Sequence, residues 1–297
     1  MNSIVHLEVT NQAKNFKDQK RKLWLLGLVV PNIANAALLG YQFGPKITKK
    51  LFASFGPLAL HLVIPAIDKY LGEDPDNPPE EAIADLEQDP YYAKVVKLFI
   101  PFQFAANIYC SYVVSKKTTP VEDQILFGHL IGLVNGVAIN TAHELSQKSG
   151  KLEHYLSHLC LAPTGYNHFR IEHPYGHHRR VATPEDPASS QLGETFWQFW
   201  PRSVIGSFKS AIEIEERRLE RKGKKFWSLD NELIHGWAMS AAYHAVMLKF
   251  FGRRIILMQI TQSFCGITLF EAVNYMEHYG LKRKDVGNGK YARTMPE

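Results

Sequence analysis

The chain has 297 residues, 45% of them hydrophobic, and a formal net charge of +5. That length suits one large domain, and the basic balance argues against nucleic-acid binding, because the Lys and Arg residues flank apolar runs as the loops of a membrane protein do. Cys110, Cys160 and Cys265 form no CxxC and two of them lie in apolar runs, so they indicate buried free thiols and no disulfide framework or thiolate metal site.

In chain order, residues 1–21 form a polar, basic arm without the pattern of a signal peptide. Apolar runs follow at 23–39, which contains Pro31 and Asn32, and at 51–67, which contains Pro57 and Pro65. Residues 72–81 are an acidic, Pro-rich linker, with a short polar helix after it. Residues 95–114 are rich in Phe, Ile and Ala. Residues 125–141 are rich in Gly and Ala, which lets helices approach closely in lipid, and this run leads straight into His143. Residues 144–229 are polar and basic, with an amphipathic helix at 208–221, and two further runs lie at 233–251 and 255–275.

These runs predict an all-α integral membrane protein of about six transmembrane helices. Its parts are an arm (1–21), four spans (22–143), a histidine-rich region (144–229), two spans (230–280) and a final stretch (281–297). The positive-inside rule puts the arm, the linker, the histidine-rich region and His278 in the cytoplasm. It leaves Lys46, Lys49, Lys50, Arg253 and Arg254 outside, against the rule.

The chemistry concentrates between Thr141 and Ser190, which hold seven of the chain's 13 histidines. His173, His177 and His178 follow an HxxxHH spacing. On a helix, i and i+4 share a face and i+5 lies within reach of it, so three imidazoles there suit iron, zinc or copper. Glu172 or Asp186 is placed to accept the second ring N–H of a ligand imidazole. His143 ends an apolar run. Its i+4 position is Gln147, so His143-Glu144-Leu145-Ser146-Gln147 fails the HExxH zinc-protease pattern. His278, framed by Glu277 and Tyr279, follows another span at the same depth. His154 and His158 read as surface residues, His168 as a group behind the ligands, and His61, His129, His235 and His244 as neutral, packed residues. His6 lies in the arm.

His143 to Lys148, Glu172 to Ser189 and Asn274 to Leu281 resemble three motifs of the membrane-bound alkane 1-monooxygenases: HELxHK, EHxxGHHxxVATPEDPAS and NYxEHYGL. The likeness extends over nearly the whole chain. It implies a bacterial inner-membrane enzyme with a di-metal region of two non-haem iron ions facing the cytoplasm. Such an enzyme hydroxylates medium- or long-chain n-alkanes with O2 at the terminal carbon. Electrons come from rubredoxin, reduced by rubredoxin reductase with NAD(P)H. The resemblance implies His143, His173, His177, His178 and His278 as iron ligands, with Gln147 at a position the family fills with histidine. An acidic rubredoxin is expected to dock on basic residues such as Arg179, Arg180, Arg202 and Lys225, whose other role is to orient the chain in the membrane. The family's third box, LQRHSDHH, does not occur in the 297 residues. A fragment or truncated product, with absent or impaired activity, is therefore expected. The alternatives are a fatty-acid desaturase or ω-hydroxylase of the same superfamily, or a metal-poor, non-catalytic membrane protein.

Overall fold

The computed structural model describes residues 16, 18–73, 78–287 and 289–292. Most of the predicted arm, including His6, and part of the acidic linker lie outside them. The described chain is built almost wholly of helices, with one small hairpin of β1 (Asp285–Gly287) and β2 (Lys290–Tyr291).

Helix α1 is Arg21–Phe43, and α2 (Lys46–Ala53) and α3 (Phe55–Leu71) form a pair bent by 52°. Then come α4 (Glu80–Gln88), α5 (Pro90–Ser115), α6 (Val121–Ser146) and α7 (Lys151–Leu161). A short α8 runs from Phe169 to Arg180 with a π turn at His173–His177. It is followed by α9 (Phe196–Arg221), α10 (Glu232–Phe251) and α11 (Arg253–His278).

Local chemistry sets the helix ends. Asp89 caps α5 by accepting the Tyr91 N–H (2.8 Å), with Pro90 in the first turn, where its missing N–H costs nothing. Thr195 and Gln198 form a reciprocal capping box at α9, and Asn231 caps α10 by accepting from Leu233 N–H (2.8 Å).

Among the described residues, α1, α5, α6 and α11 are long and apolar enough to cross a membrane, and the α2–α3 pair supplies a fifth candidate as a broken span. The sixth expected span, α10, is a 20-residue helix but falls outside this set, because His235, His244 and Lys249 dilute its apolar character. Leu26, Ile33, Leu98, Ile108, Ile260 and Phe264 lie exposed on α1, α5 and α11, the surface that a membrane protein turns to lipid.

Helix α6 is the spine. Gly128, Gly132 and Gly136 form a stripe against α11, where an added Cβ at Gly132 would lie 2.6 Å from Cys265 Cβ. Without side chains in the way the two backbones close together, as small residues permit in membrane helices. Beside this contact Asn135 joins its neighbours through amide hydrogen bonds. Its Nδ2 donates to Gln262 Oε1 (2.6 Å) and its Oδ1 accepts from Gln103 (3.0 Å) and Asn107 (3.0 Å). Tyr243 of α10 donates to Asn107 (3.0 Å), so buried polar groups tie α5, α6, α10 and α11 into one register. At one end of the bundle, Lys50 pairs with Asp123 (2.8 Å), which also accepts from Tyr41, and Arg254 donates to the Thr119 carbonyl (2.9 Å). Of the five cations that the expected orientation leaves outside, Lys50 and Arg254 are thus engaged within the protein, and Lys49 lies over the Tyr41 ring. At the other end lie the last turns of α6 and α11, with His143 and His278.

Candidate metal centre

Five histidine rings form a contiguous group at that end. His173 is the hub: its ring centroid lies 4.7 Å from His143, 4.9 Å from His177 and 4.5 Å from His178. His177 in turn lies 4.8 Å from His278. His143, His173 and His178 each offer one ring nitrogen, and the three nitrogens lie within 4.8 Å of one another. Such a donor set fits a borderline divalent metal.

The π turn decides which rings meet. The α-helical reading pairs His173 with His177 on one face. In the wider π turn, hydrogen bonds run from i to i+5, which brings position i+5 back over position i. Accordingly His178 Nε2 lies 3.0 Å from His173 Nε2, whereas His177 stacks beside His173 and turns toward His278. Gly176 makes room inside the turn, since a Cβ there would strike the Glu172 carboxylate and lie 2.7 Å from Arg180.

The outer nitrogens are tied down, which is a second sign of fit. His177 Nδ1 lies 2.9 Å from Asp186 Oδ2, and His278 Nδ1 lies 2.8 Å from the Asn274 carbonyl. Both rings therefore keep Nε2 free for a metal, the arrangement that fixes ligand tautomers. Burial, with the neighbouring imidazoles, holds His173 far below the ordinary histidine range, so this ring stays neutral and ready to ligate. Burial also lowers His177, but the Asp186 hydrogen bond and charge outweigh it and leave this ring above its ordinary value. Burial pushes Glu172 up to about 7, helped by the charge of Asp186 and opposed by His177, Ser210 and Arg180.

These shifts give opposite pH trends for the metal-free chain and for its metal. A protonated His177 is favoured in the fold. Its contribution to stability is full below the ordinary value near 6.5 and is lost as pH rises through the raised folded value. Metal needs the same ring neutral, so affinity grows over that rise. The lowered rings of His173 and His178 give the opposite trend near pH 6–7, so the test runs from pH 7.5 to 9, where thermal unfolding of metal-stripped protein is expected to show falling stability while the affinity for metal increases. Parallel trends would show that His177 does not titrate in this window.

The loop 181–195 clasps this end of the bundle. Asp186 accepts from Ser189 Oγ (2.6 Å), and Ser189 Oγ accepts from Ala182 N–H (2.7 Å), with Ala182 at a φ of 60°. Ser190 Oγ donates to the Tyr275 carbonyl (2.7 Å), and Tyr275 OH donates to the Glu194 carbonyl (2.5 Å). His278 and His177 are thereby held together across a long separation in sequence. Asp186→Asn removes the anionic acceptor at His177, and metal affinity is expected to fall about 10- to 100-fold with the helical content unchanged. Calorimetric metal titration checks this, and an unaltered affinity would free Asp186 of that role.

Other sequence expectations change. Glu172 does not accept from a ligand ring. It receives Arg180 (3.0 Å) and Ser210 Oγ (3.0 Å) instead. Arg180 is therefore partly withdrawn from the surface, and so is Arg202, which donates to Glu194 (2.7 Å), Pro187 O (2.8 Å) and Ser189 O (3.0 Å) as the fastener of the loop. Arg179 and Lys225 remain exposed. His158 is no surface residue: it is fully buried, pairs with Asn167 (2.9 Å) and is pushed down to about 4 by burial. His168 is buried against Tyr166 and Phe208, makes no ring contact with the five, and burial pushes it down to about 3. Glu144 lies 3.7 Å from His143 Nδ1, Glu277 is exposed, and Gln147 lies 2.8 Å from His143 Nε2. Sequence reasoning missed Glu271, a buried carboxylate on α11 that accepts from Tyr166 OH (2.7 Å). A charged residue inside an apolar run was its one available signal.

Comparison with known proteins shows the family. The Fatty acid desaturase family model matches residues 124–296, which contain all five histidines. The chain is 58% identical to the alkane 1-monooxygenase of Acinetobacter baylyi, covering 100% of this chain and 74% of that protein. It is 38% identical to alkane 1-monooxygenase 1 of Alcanivorax borkumensis, covering 95% of this chain and 69% of that protein. A shorter likeness, 30% identity over 48% of this chain and 38% of the relative, joins it to the xylene/toluene monooxygenase hydroxylase component XylM of Pseudomonas putida. Similarity that runs the length of the chain and takes in every ring of the histidine group shows that the chain belongs to the alkane 1-monooxygenase family.

Proposed function

We propose that this protein hydroxylates medium- or long-chain n-alkanes at the terminal carbon, using O2 and two non-haem iron ions held by the histidine group. The observation that carries this reading is the five-ring cluster at the ends of α6 and α11, with Nδ1 of His177 and His278 already engaged. His143, His173 and His178 would hold one ion, and His177 and His278 would contribute to the second. Iron supplies the redox chemistry by which one oxygen atom of O2 enters the C–H bond and the other leaves as water. The chain's own residues orient the rings: Asp186 and the Asn274 carbonyl fix two imidazoles through their Nδ1 atoms. An alkane partitions into lipid and reaches the apolar surface of the bundle directly.

Electrons are assigned to a rubredoxin, reduced by rubredoxin reductase with NAD(P)H. Exposed Arg179 and Lys225 are the basic groups available to steer an acidic carrier. The basic segment 147–231 leaves the bundle at the histidine end, which supports a cytoplasmic face in a bacterial inner membrane with α10 as a sixth span.

The test supplies iron-loaded protein in lipid nanodiscs with 18O2, reduced rubredoxin, and octane, hexadecane and a fatty acid side by side. A labelled primary alcohol from an alkane is the expected product. Conversion of the fatty acid alone would favour the desaturase or ω-hydroxylase reading suggested by the family match, and no product from iron-loaded protein would favour a non-catalytic role.

A further inference from the structure

We propose that the side-chain carbonyl of Gln147 is an oxygen ligand to the metal held by His143, His173 and His178, so that this chain binds that ion through three imidazoles and one amide. The proposal rests on the reading of the histidine group as a metal centre. Gln147 stands four residues after His143, at the end of α6, and so projects from the same helix face. Its amide nitrogen lies 2.8 Å from His143 Nε2. The other ring nitrogen of His143, Nδ1, faces Glu144 at 3.7 Å, which leaves Nε2 as the nitrogen for metal. Rotating the carboxamide by 180° exchanges its oxygen and nitrogen at that point without moving the rest of the side chain.

The distances carry the argument. Imidazole nitrogens and side-chain oxygens bind divalent metals at about 2.0–2.2 Å, so two ligands at right angles on one ion lie about 3 Å apart. The two close pairs at this site have that separation: Gln147 to His143 at 2.8 Å and His178 to His173 at 3.0 Å. The side chain of Gln147 is exposed and makes no other hydrogen bond among the described residues, so its contact with His143 is the one that sets its pose. A neutral amide oxygen is a harder donor than imidazole and a weaker one toward iron, which favours an open, exchangeable ion over a closed structural site.

A mere hydrogen bond between Gln147 and His143 makes the opposite prediction, because it occupies the lone pair that metal needs. Removing it would then strengthen binding. The full chain in nanodiscs, stripped of metal by a chelator, is titrated anaerobically with Fe2+ as wild type, Gln147→Leu, Gln147→Glu and Gln147→His. Gln147→Leu is expected to weaken the tightest site about tenfold or more, and Gln147→Glu and Gln147→His to tighten it. With half an equivalent of Cu2+, nitrogen hyperfine structure in the electron paramagnetic resonance spectrum is expected to report three nitrogens in wild type and four in Gln147→His. Equal or tighter binding by Gln147→Leu overturns the proposal and leaves the histidine centre standing. Absence of metal from every version, Gln147→His included, overturns the metal reading itself.

Discussion

Replacing His173 with alanine is expected to abolish metal binding while leaving the helical bundle folded. This ring touches three of the other four imidazoles, and its Nε2 lies 3.0 Å from that of His178. Its loss therefore removes a donor and the packing that aligns two others. The effect is expected to exceed the about 10- to 100-fold that follows removal of an outer partner such as Asp186. The ring is a half-buried, neutral group with no carboxylate partner, so its deletion leaves no buried charge behind. Elemental analysis of iron per chain, with circular dichroism for the fold, checks this. The metal assignment fails if His173→Ala retains the iron content of the unaltered chain. If His154→Ala, a change outside the ring group, lost iron equally, the loss would report general instability.

How far this site could be read in advance depended on the kind of signal each residue gives. The HxxxHH spacing exposed His173, His177 and His178 directly, and the ends of two apolar runs exposed His143 and His278. Their pairing was not legible, because it depends on a π turn, and nothing in the spacing distinguishes a π turn from an α turn. Burial of His158 was missed because a polar-apolar helix reads as a surface element, whereas α7 is packed beneath α10, with Gly236 set against His158 and Asn167. Arg180 and Arg202 looked like surface charge because their partners, Glu172 and Glu194, are eight residues away: Glu172 meets Arg180 across the π turn of α8, and Glu194 meets Arg202 only after the loop 181–195 has folded. Asn135, Gln103 and Gln262 lie far apart in sequence and appear as isolated polar residues within apolar runs. Their common meeting point is a product of helix packing. Helix α10 falls below α1, α5, α6 and α11 in mean hydropathy because of His235, His244 and Lys249.

Gly132→Ala is expected to damage both fold and site, although the change adds a single methyl group. The new Cβ would lie 2.6 Å from Cys265 Cβ, 3.1 Å from the Gln262 carbonyl oxygen and 3.2 Å from Gly266 N. Two of these are backbone atoms and the third is bound directly to backbone, so no rotamer change relieves the contact. Helices α6 and α11 must separate, at a cost of about 1–3 kcal/mol for overpacking. The Asn135 to Gln262 hydrogen bond of 2.6 Å is stretched by the same movement. Its partners are fully buried, so its weakening adds to the cost rather than being repaired by water. His143 lies in the last turn of α6 and His278 ends α11, so the displacement also reaches the histidine group. Gly27→Ala on α1 is the control, because a Cβ there meets nothing within 4 Å. Thermal unfolding in nanodiscs and iron content are measured on both. Loss of stability and of iron in Gly132→Ala, with neither in Gly27→Ala, would show that a glycine contact deep in the bundle sets the geometry of histidines at its end. Unchanged stability and iron content in Gly132→Ala would mean that the two helices tolerate a wider separation, and that the loop 181–195 alone holds His278 beside His177.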